Sequence, residues 1–346
     1  MVLAVASPHN YVVTRQLNIA FLGCGFITTV HSRSLVPLRD DISVSYASRD
    51  IDRARHYSQL YGGLKSYGDY RVAMDDAAVD AVVIAVPPHL HLPLTLEALA
   101  ARKHVIVEKP AFPNLADFER AREAATEAGR IVLVGENDHY KPLAVCLRKL
   151  LKDGAIGEMV LAHFTTLVKK YKSGDDWRND EVMAGGDAFF EEGIHWLHLA
   201  NSLGPKIVSA HGYRPHATRR PISDRRAKSM LVSFLYDNGA AGSLYYSREV
   251  PSLLRGLRLS KLFGRDGIIS FESNGAVVLV RGEGMPELLF PGFRDIRGYQ
   301  AMYRDFVSAV RTGSDPEMNL DVATEDQRVM EQIYESAGVG FGTDTA

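Results

Sequence analysis

Cysteine is scarce in this sequence, which has only Cys24 and Cys146 among its 346 residues. Nothing around them suggests a disulfide framework or a cysteine metal site, so the composition fits a reducing, cytoplasmic compartment. An excess of charge of one sign is also missing, since the formal net charge is -2 and the pI is near 6.6. Without a polybasic surface, we expect neither nucleic acid nor an anionic membrane as a partner.

Apolar runs long enough to cross a membrane are absent as well. The first sixteen residues lack the basic start and the apolar centre of a signal peptide, so we interpret residues 1–16 as an extension before the first strand. No internal repeat or low-complexity tract is evident. With 46% apolar and 24% charged residues, the composition is typical of a soluble globular protein, and the chain is long enough for two domains.

The first half of the chain alternates short apolar runs with segments of helical spacing. The apolar runs lie at 17–22, 42–47, 79–86, 105–108 and 131–134. A sustained alternation of strand and helix predicts an α/β fold with a doubly wound parallel sheet and right-handed crossovers. We assign this Rossmann domain, the type that binds dinucleotides, to residues 17–140.

The first strand is followed by Gly23 and Gly25 in a Gly-x-Gly-x-x-Thr turn that leads into a helix. Glycines at these positions permit a tight turn and let the backbone approach a pyrophosphate, which binds at the N-terminus of the helix. Gly-x-Gly alone is a weak signal that occurs elsewhere in the chain, so its place after the first strand carries the inference. We predict that Gly23, Gly25, Phe26 and Ile27 bind the dinucleotide.

The second strand ends in Ser48, Arg49 and Asp50, at the point where dinucleotide folds distinguish their cofactors. An acidic residue there binds the ribose 2'-hydroxyl of NAD, whereas arginine accommodates the 2'-phosphate of NADP. Because Ser48 and Arg49 come first, they favour NADP(H). NAD(H) stays possible, with Asp50 as the ribose ligand and Arg49 as a surface charge.

Lys109 follows the strand at 105–108 and precedes Pro110, which ends that strand. Ligands bind at the carboxyl ends of strands in open α/β sheets, so its position makes Lys109 a candidate site residue. A solvated loop lysine is the simpler interpretation of this residue alone. Other candidates at the same sheet edge are Pro87, His91, Glu108 and Asn137 for the cofactor and Tyr140 for the substrate, although His91 could equally be a structural residue at a helix start.

The second half changes to longer strand-like stretches separated by turn sequences such as Asp237-Asn238-Gly239. Stretches at 159–168, 207–213, 230–236, 242–246, 268–271 and 277–280 predict a large, mostly antiparallel open sheet. Segments 299–310 and 322–336 have the spacing of helices that could pack on either domain. We assign residues 141–337 to this α+β domain and residues 338–346 to a C-terminal tail.

Glu191 and His195 lie four residues apart in a stretch of helical spacing, so a carboxylate and an imidazole are predicted to share one helix face. This arrangement suits an acid/base pair. Glu191 and His195 could also be two metal ligands, but no third ligand is evident, and we expect no metal. The structural alternative is that His195 is a core histidine. Trp177 and Arg178, in the preceding loop, could stack on and clamp a substrate, or be a surface aromatic beside a solvated arginine.

Together these motifs resemble the Gfo/Idh/MocA oxidoreductases, a family that includes glucose-fructose oxidoreductase and inositol dehydrogenase. The resemblance extends from about residue 17 to 337 and rests on the turn at 23–25, the Glu-Lys-Pro triplet at 108–110, the segment 185–195 and the ending 303–313. It implies that the second domain binds the substrate and forms homodimers or homotetramers through its sheet. It also implies that Lys109 and His195 match the family's lysine and histidine, while Glu191 replaces its usual aspartate.

Hydride transfer from an alcohol carbon requires removal of the hydroxyl proton and a donor that stabilises charge on the oxygen. The resemblance therefore implies an NAD(P)-dependent dehydrogenase or reductase that acts on CH-OH groups of a sugar, polyol or related cyclic alcohol. We expect His195 to accept the proton and Lys109 to contact the reacting oxygen. Glu191 would orient His195 or bind a neighbouring hydroxyl, and Glu108 would position Lys109 or contact the nicotinamide ribose.

Two alternatives stay open on the sequence alone. One is a glycosidase-like member that oxidises its sugar transiently with tightly held NAD. The other is a non-catalytic, dinucleotide-sensing partner of a regulator, since a fold does not fix a function. The presence of both Lys109 and His195 argues against this second alternative.

Overall fold

Two β-sheets with separate hydrophobic cores organise the chain. The computed structural model describes residues 15–169, 181–215, 228–251 and 258–338. Among the helices in these ranges, none combines the length and the apolar composition that a membrane span requires.

The first sheet is built from the strands β1 (Leu17–Leu22), β2 (Ile42–Ala47), β3 (Ser66–Tyr67), β4 (Ala81–Ile84), β5 (His104–Glu108) and β6 (Val132–Gly135). All its pairs are parallel, and the spatial order is β3-β2-β1-β4-β5-β6. The chain runs outward from β1 to β3 and then returns to β4 on the other side of β1. A crevice for ligands is expected where the order reverses, at the carboxyl ends of β1 and β4.

Helices separate these strands and cover the sheet. They are α1 (Phe26–Ser34), α2 (Ile51–Tyr61), α3 (Tyr70–Asp75), α4 (His91–Ala100) and α5 (Leu115–Ala128). Side chains of β1, β4 and β5 are almost entirely buried, because helices pack against both faces and apolar residues fill the space on each side.

The second sheet has eight strands, with α6 (Pro142–Lys152), α7 (Glu181–Ala184) and α8 (Ile194–Asn201) in the connections. The strands are β7 (Met159–Leu167), β8 (Ile207–Tyr213), β9 (Ser229–Tyr236), β10 (Ala241–Ser247), β11 (Leu259–Gly264), β12 (Ile268–Glu272), β13 (Val278–Arg281) and β14 (Glu287–Leu289). Their order is β14-β13-β12-β11-β7-β10-β9-β8, and every pair except β7 with β10 is antiparallel. One face packs on the helices, and the other carries the exposed residues of each strand.

The last two helices, α9 (Tyr299–Thr312) and α10 (Leu320–Ser336), connect the two cores. Met302, Tyr303 and Phe306 of α9 belong to the core of the parallel sheet. Met330 and Ile333, in the second half of α10, belong to the core of the eight-stranded sheet. The end of the chain therefore packs against both halves of the molecule.

The predicted fold class is confirmed, since a Rossmann sheet is followed by a large, mostly antiparallel sheet. The sequence patterns do not predict α6, β11 or β14, and the strand expected at 79–86 is limited to Ala81–Ile84. The exact domain boundaries stay a prediction.

Candidate active site

Lys109 and His195 come together at the carboxyl edge of the parallel sheet. Lys109 directly follows β5, and its Nζ donates a hydrogen bond to the main-chain oxygen of Glu191 at 3.0 Å. Glu191 lies in a π-helical turn, Phe189–Gly193, that leads directly into α8 and His195. The sheet edge of one half and the helix of the other therefore meet through this contact.

Glu136, directly after β6, holds the imidazole of His195. The distance from His195 Nδ1 to Glu136 Oε1 is 2.7 Å, and the side chain of His195 remains 19% exposed. Glu136 is almost fully buried, and its Oε1 also accepts a hydrogen bond from the backbone N-H of Asp138 at 3.0 Å. Its Oε2 is buried without a hydrogen-bond partner among the described residues.

Asp138 lies beside Lys141 and His195. Its carboxylate accepts a hydrogen bond from Lys141 Nζ at 2.6 Å, and its Oδ1 lies 3.9 Å from His195 Nδ1. Burial by itself would raise the pKa of Asp138, but the charges of Lys141, His195 and Lys109 lower that pKa to about 2. Asp138 is therefore an anion throughout the physiological range, and Lys109 and His195 both lie within reach of its charge.

Glu136, Asp138 and His195 each offer one ligand atom, and these atoms lie within 4.8 Å of one another. The fold therefore brings together three possible metal ligands, a set that local spacing in the sequence does not reveal. However, Lys141 already neutralises Asp138, and the hydrogen bond from His195 already uses Glu136 Oε1. Protein side chains therefore already contact Asp138 and Glu136 Oε1.

The expectation that Glu191 orients His195 needs correction. Among the described residues, the carboxylate within hydrogen-bonding distance of His195 Nδ1 is that of Glu136. The Glu191 carboxylate instead pairs with Arg248, with 3.1 Å between Oε2 and Nη2, and Glu192 pairs with the same guanidinium at 2.6 Å. A guanidinium offers several fixed donors to two carboxylates, so Arg248 competes successfully for Glu191.

The β1–α1 turn has the shape of a dinucleotide cradle. Gly23 has a φ of +110°, and a Cβ built there would lie 2.4 Å from the main-chain oxygen of Ala85. A Cβ at Gly25, in contrast, would meet no atom within 4 Å, and no side chain caps the N-terminus of α1. Open space in front of uncapped N-H groups fits a pyrophosphate. Phe26 is 77% exposed beside it, and Ile27 is half-buried.

Ser48, Arg49 and Asp50 form the turn between β2 and α2. Asp50 caps α2, because its Oδ1 accepts hydrogen bonds from the backbone N-H groups of Asp52 and Arg53 at 3.0 and 3.4 Å. Ser48 is buried and accepts a hydrogen bond from the N-H of Asp50 at 3.2 Å, while Arg49 is exposed. The guanidinium therefore faces solvent at the end of the strand.

Two other predicted residues, His91 and Glu108, are buried and make contacts that hold the loops and strand ends next to the site. The ring of His91 is buried, with nitrogens 2.9 to 3.0 Å from the main-chain oxygens of Val86, Pro110 and Ala111, so it fixes the loops after β4 and β5. Glu108 is buried and accepts from His31 Nε2 at 2.8 Å. The burial of Glu108 raises its pKa, but His31 and Lys109 have the larger combined effect and lower it.

The remaining predicted residues differ in whether the structure describes them and in what they contact. Asn137 donates to the main-chain oxygen of Arg297 at 2.7 Å, and Pro87 is half-buried after β4. The buried hydroxyl of Tyr140 donates to Asp305 at 2.7 Å and accepts from the N-H of Met318, so the structure does not bring it into the cluster. The two predicted clamp residues, Trp177 and Arg178, lie outside the described residues.

Two family models match most of the chain. A model described as "Oxidoreductase family, NAD-binding Rossmann fold" matches residues 17–136, and the GFO/IDH/MocA C-terminal domain matches residues 145–269. The chain belongs to the Gfo/Idh/MocA oxidoreductase family. The resemblance expected from the motifs is thereby confirmed, and the parallel sheet is the family's NAD-binding domain.

Relatives within the family carry the names of several dehydrogenases. An uncharacterised oxidoreductase of Rhizobium meliloti, ORF334, is 30% identical over 86% of this chain and 89% of its own length. Myo-inositol 2-dehydrogenase of Thermotoga maritima is 31% identical over 54% of each chain, so the match spans about half of that relative. The solved structure of a levoglucosan dehydrogenase in complex with NADH has a TM-score of 0.84 and 21% identity, covering 94% of this chain and 97% of its own.

Proposed function

We propose that this protein transfers a hydride between a nicotinamide cofactor and a hydroxyl or carbonyl carbon of a sugar, polyol or related cyclic alcohol. The observation that carries the proposal is the arrangement of Lys109 and His195 around Asp138, at the sheet edge that also holds the glycine cradle. The names of the relatives support the substrate class, since they include a myo-inositol dehydrogenase and a levoglucosan dehydrogenase.

His195 has one ring nitrogen available for the substrate. Glu136 accepts a hydrogen bond through the contact with Nδ1, so neutral His195 carries its proton on Nδ1 and leaves the lone pair of Nε2 free. Nε2 would accept the hydroxyl proton in oxidation and return it in reduction. The imidazolium that forms is stabilised by the buried carboxylate of Glu136.

Lys109 would donate a hydrogen bond to the reacting oxygen. Its ammonium group already donates to the Glu191 main-chain oxygen, which leaves two further N-H bonds for a substrate. Charge that develops on the substrate oxygen would be stabilised by this fixed donor. Glu191 therefore contributes through its backbone, while Arg248 holds its side chain. With its pyrophosphate in the cradle, the cofactor would supply the nicotinamide ring that accepts or donates the hydride.

We infer a preference for NADP(H) over NAD(H). Capping of α2 occupies one carboxylate oxygen of Asp50, whereas the exposed Arg49 and the adjacent Ser48 hydroxyl would contact a 2'-phosphate, which supports this preference. A guanidinium matches the geometry of a phosphate group particularly well.

A thermal-shift titration with NAD(H) and NADP(H) side by side tests the cofactor proposal. A cofactor at about a hundred times its Kd adds about 2.7 kcal/mol of stability, which raises Tm by several degrees. We expect the larger shift with NADP(H) and its loss in Arg49→Ala, while the NAD(H) shift stays unchanged. A larger shift with NAD(H), lost in Asp50→Ala, would contradict the preference.

The second sheet is proposed to join two copies of the chain. Its outer face carries apolar side chains that are between 38% and 55% exposed: Leu161, Tyr213, Leu231, Leu235, Tyr245, Leu259, Leu279 and Leu288. Strand register places these residues on one side of the sheet. Apolar patches of this extent commonly mark protein interfaces, which supports a homodimer or homotetramer formed through this face.

A further inference from the structure

Two buried histidines lie directly beneath the candidate active site and have no part in the mechanism above. His139 belongs to the 3-10 turn Asn137–Tyr140 that follows Glu136, and His198 lies on α8, one helical turn after His195. His139 Nδ1 is 2.9 Å from His198 Nε2, and both rings are almost fully buried. The two imidazoles therefore share a direct hydrogen bond away from water.

A carboxylate closes each end of this histidine pair. His198 Nδ1 lies 2.6 Å from Oδ2 of Asp326 on α10, and His139 Nε2 lies 3.1 Å from Oε2 of Glu317 in the loop before α10. Asp326 is buried, and its other oxygen accepts from Asn201 at 3.0 Å. The four side chains form a continuous chain from Glu317, which is 64% exposed, to the interior.

The number of protons on this chain follows from its hydrogen bonds. An ionised carboxylate can only accept, so the ring nitrogen that faces Asp326 and the ring nitrogen that faces Glu317 must each carry a proton. The contact between the two rings needs one proton in addition. Three protons on four ring nitrogens make one neutral imidazole and one imidazolium, whereas two neutral rings would leave one contact without a donor.

We propose that His139 and His198 share one proton as a buried cation, and that this cation stabilises the buried carboxylate of Glu136 that contacts His195. The pair is then a positioning group for the acid/base histidine, a role that rests on the function proposed above. Glu136 needs such compensation, because it is buried and its Oε2 has no hydrogen-bond partner among the described residues. Glu136 also directly precedes the 3-10 turn of His139, whose N-H donates to the Glu136 main-chain oxygen at 3.2 Å.

Carboxylates outnumber cationic side chains around the histidine pair and favour the extra proton. Burial lowers the pKa of His198, but the charges of Asp326 and Glu136 outweigh this effect and raise it. Burial lowers the pKa of His139, so the shared proton resides mainly on His198. The charged or titratable groups around the pair are Asp326 of α10, Glu317 of the preceding loop, Glu136 directly before the 3-10 turn, Tyr140 at the end of that turn, and Arg148 of α6. Three carboxylates thus face one guanidinium.

The proton count can be measured without any substrate. Long-range 1H-15N correlation spectra of the full chain, labelled with 15N-histidine, distinguish protonated from unprotonated ring nitrogens. We expect three protonated nitrogens among the four of His139 and His198 at neutral pH, with His139→Gln and His198→Gln used for assignment. Two protonated nitrogens at neutral pH would overturn the shared cation.

The pH profile of kcat/KM tests the positioning role. Loss of a nearby positive charge makes protonation of His195 easier, so the acid limb of the oxidation profile should move to higher pH in His198→Gln, by on the order of one unit. The matched control is His104→Gln at the amino end of β5, because burial lowers the pKa of His104 to about 4 and its removal takes away no charge.

The two possible failures are distinguishable. A rate that falls equally at every pH in His198→Gln, with the acid limb unmoved, would show that the pair is merely structural and overturn the positioning role. Absence of turnover with any sugar or polyol would overturn the proposed function and, with it, this role, whereas the ring proton count would still decide whether the shared cation exists.

Discussion

At His195, a single hydrogen bond decides which ring nitrogen can take part in chemistry. A histidine with both nitrogens bonded to protein would be a structural core residue, as His91 is here. His195 differs because its Nδ1 contacts Glu136 and its side chain is partly exposed. The residue therefore combines a fixed orientation with an accessible Nε2, which is the combination that general acid/base catalysis requires.

Replacement of Lys109 tests its role as the donor to the reacting oxygen. We expect Lys109→Met to lower kcat by about 10² to 10⁴, which is the usual range for loss of a catalytic proton or hydrogen-bond donor. The midpoint of thermal unfolding should stay close to that of the wild type. Lys152→Met, at an exposed lysine at the end of α6, is the control and should keep full activity. Near-wild-type kcat in Lys109→Met would refute the assignment.

Replacement of Lys141 tests the electrostatics around Asp138. Asp138 has a pKa of about 2, lower than in the unfolded chain, so it contributes stability above its unfolded pKa that is lost as pH falls through its folded pKa. The contribution is about 2 kcal/mol, of which about half is lost at pH 3. Without Lys141, burial should raise the pKa of Asp138, so Lys141→Met should be less stable at pH 6 and show a weaker acid destabilisation.

Urea unfolding at pH 6 and pH 3 measures this difference. Lys149→Met serves as the control, because Lys149 forms an exposed ion pair with Asp153 that contributes little. If Lys141→Met and Lys149→Met have the same effect on stability at both values of pH, Lys141 does not hold the Asp138 anion.

At the scale of elements, the two glycines of the β1–α1 turn are expected to have different roles, with Gly23 required for folding and Gly25 for cofactor binding. Gly23→Ala should destabilise the protein by on the order of 2 to 4 kcal/mol, because φ is +110° and the methyl group would clash with Ala85. Gly25→Ala should stay within about 1 kcal/mol of the wild type, since nothing lies near its Cβ position. Its methyl group would instead obstruct the pyrophosphate and weaken cofactor binding by about tenfold or more.

Urea unfolding and a cofactor titration on the two variants check this contrast. Unchanged cofactor affinity in Gly25→Ala would mean that the pyrophosphate does not bind at this turn.

Local patterns in the sequence predict most elements of this fold. Strands such as β1 and β2 have the expected bounds, because a buried strand follows from the apolar character of neighbouring residues alone. The three residues of β14 are too few to show a periodicity. The parallel pairing of β7 with β10 joins strands about 80 residues apart, so no local signal could predict it.

The site is predictable only where one residue defines it locally. Lys109 follows from its position at a strand end, and His195 from its place in a motif. The sequence patterns do not predict the contacts of Glu136 and Arg248, because their partners His195 and Glu191 are 59 and 57 residues away along the chain. For such pairs the tertiary structure, and not the local spacing, selects the partner.

At the scale of the whole molecule, the two sheets differ in how much of their surface is exposed. Helices bury the parallel sheet on both faces, whereas the outer face of the eight-stranded sheet carries apolar side chains that the described part of the chain leaves exposed. The helices α9 and α10 pack against both cores and connect the two halves. A second copy of the chain that packed on this outer face would bury more exposed apolar surface than one that packed on the parallel sheet.

Charge on the outer face should disrupt the proposed oligomer. Leu161 of β7 and Leu235 of β9 both pair with Ala241 of the intervening strand β10, so Leu161→Glu and Leu235→Glu place two carboxylates close together on this face. Light scattering after size-exclusion chromatography should give a dimer or tetramer for the wild type and a monomer for the double variant. Leu60→Glu, at an exposed leucine of α2, is the control and should keep the wild-type mass. A monomeric wild type would contradict the assembly.

The most direct test of the account is deuterium transfer from the alcohol carbon of a sugar or polyol to the nicotinamide. A panel that includes deuterated myo-inositol and levoglucosan is incubated with NADP+ or NAD+, and both products are examined by mass spectrometry and by the absorbance of the reduced cofactor. We predict one deuterium on the nicotinamide ring for each carbonyl formed, and loss of both products in Lys109→Met. Cleavage of a glycosidic bond without net cofactor reduction, or no product from any member of the panel, would contradict the proposed hydride transfer.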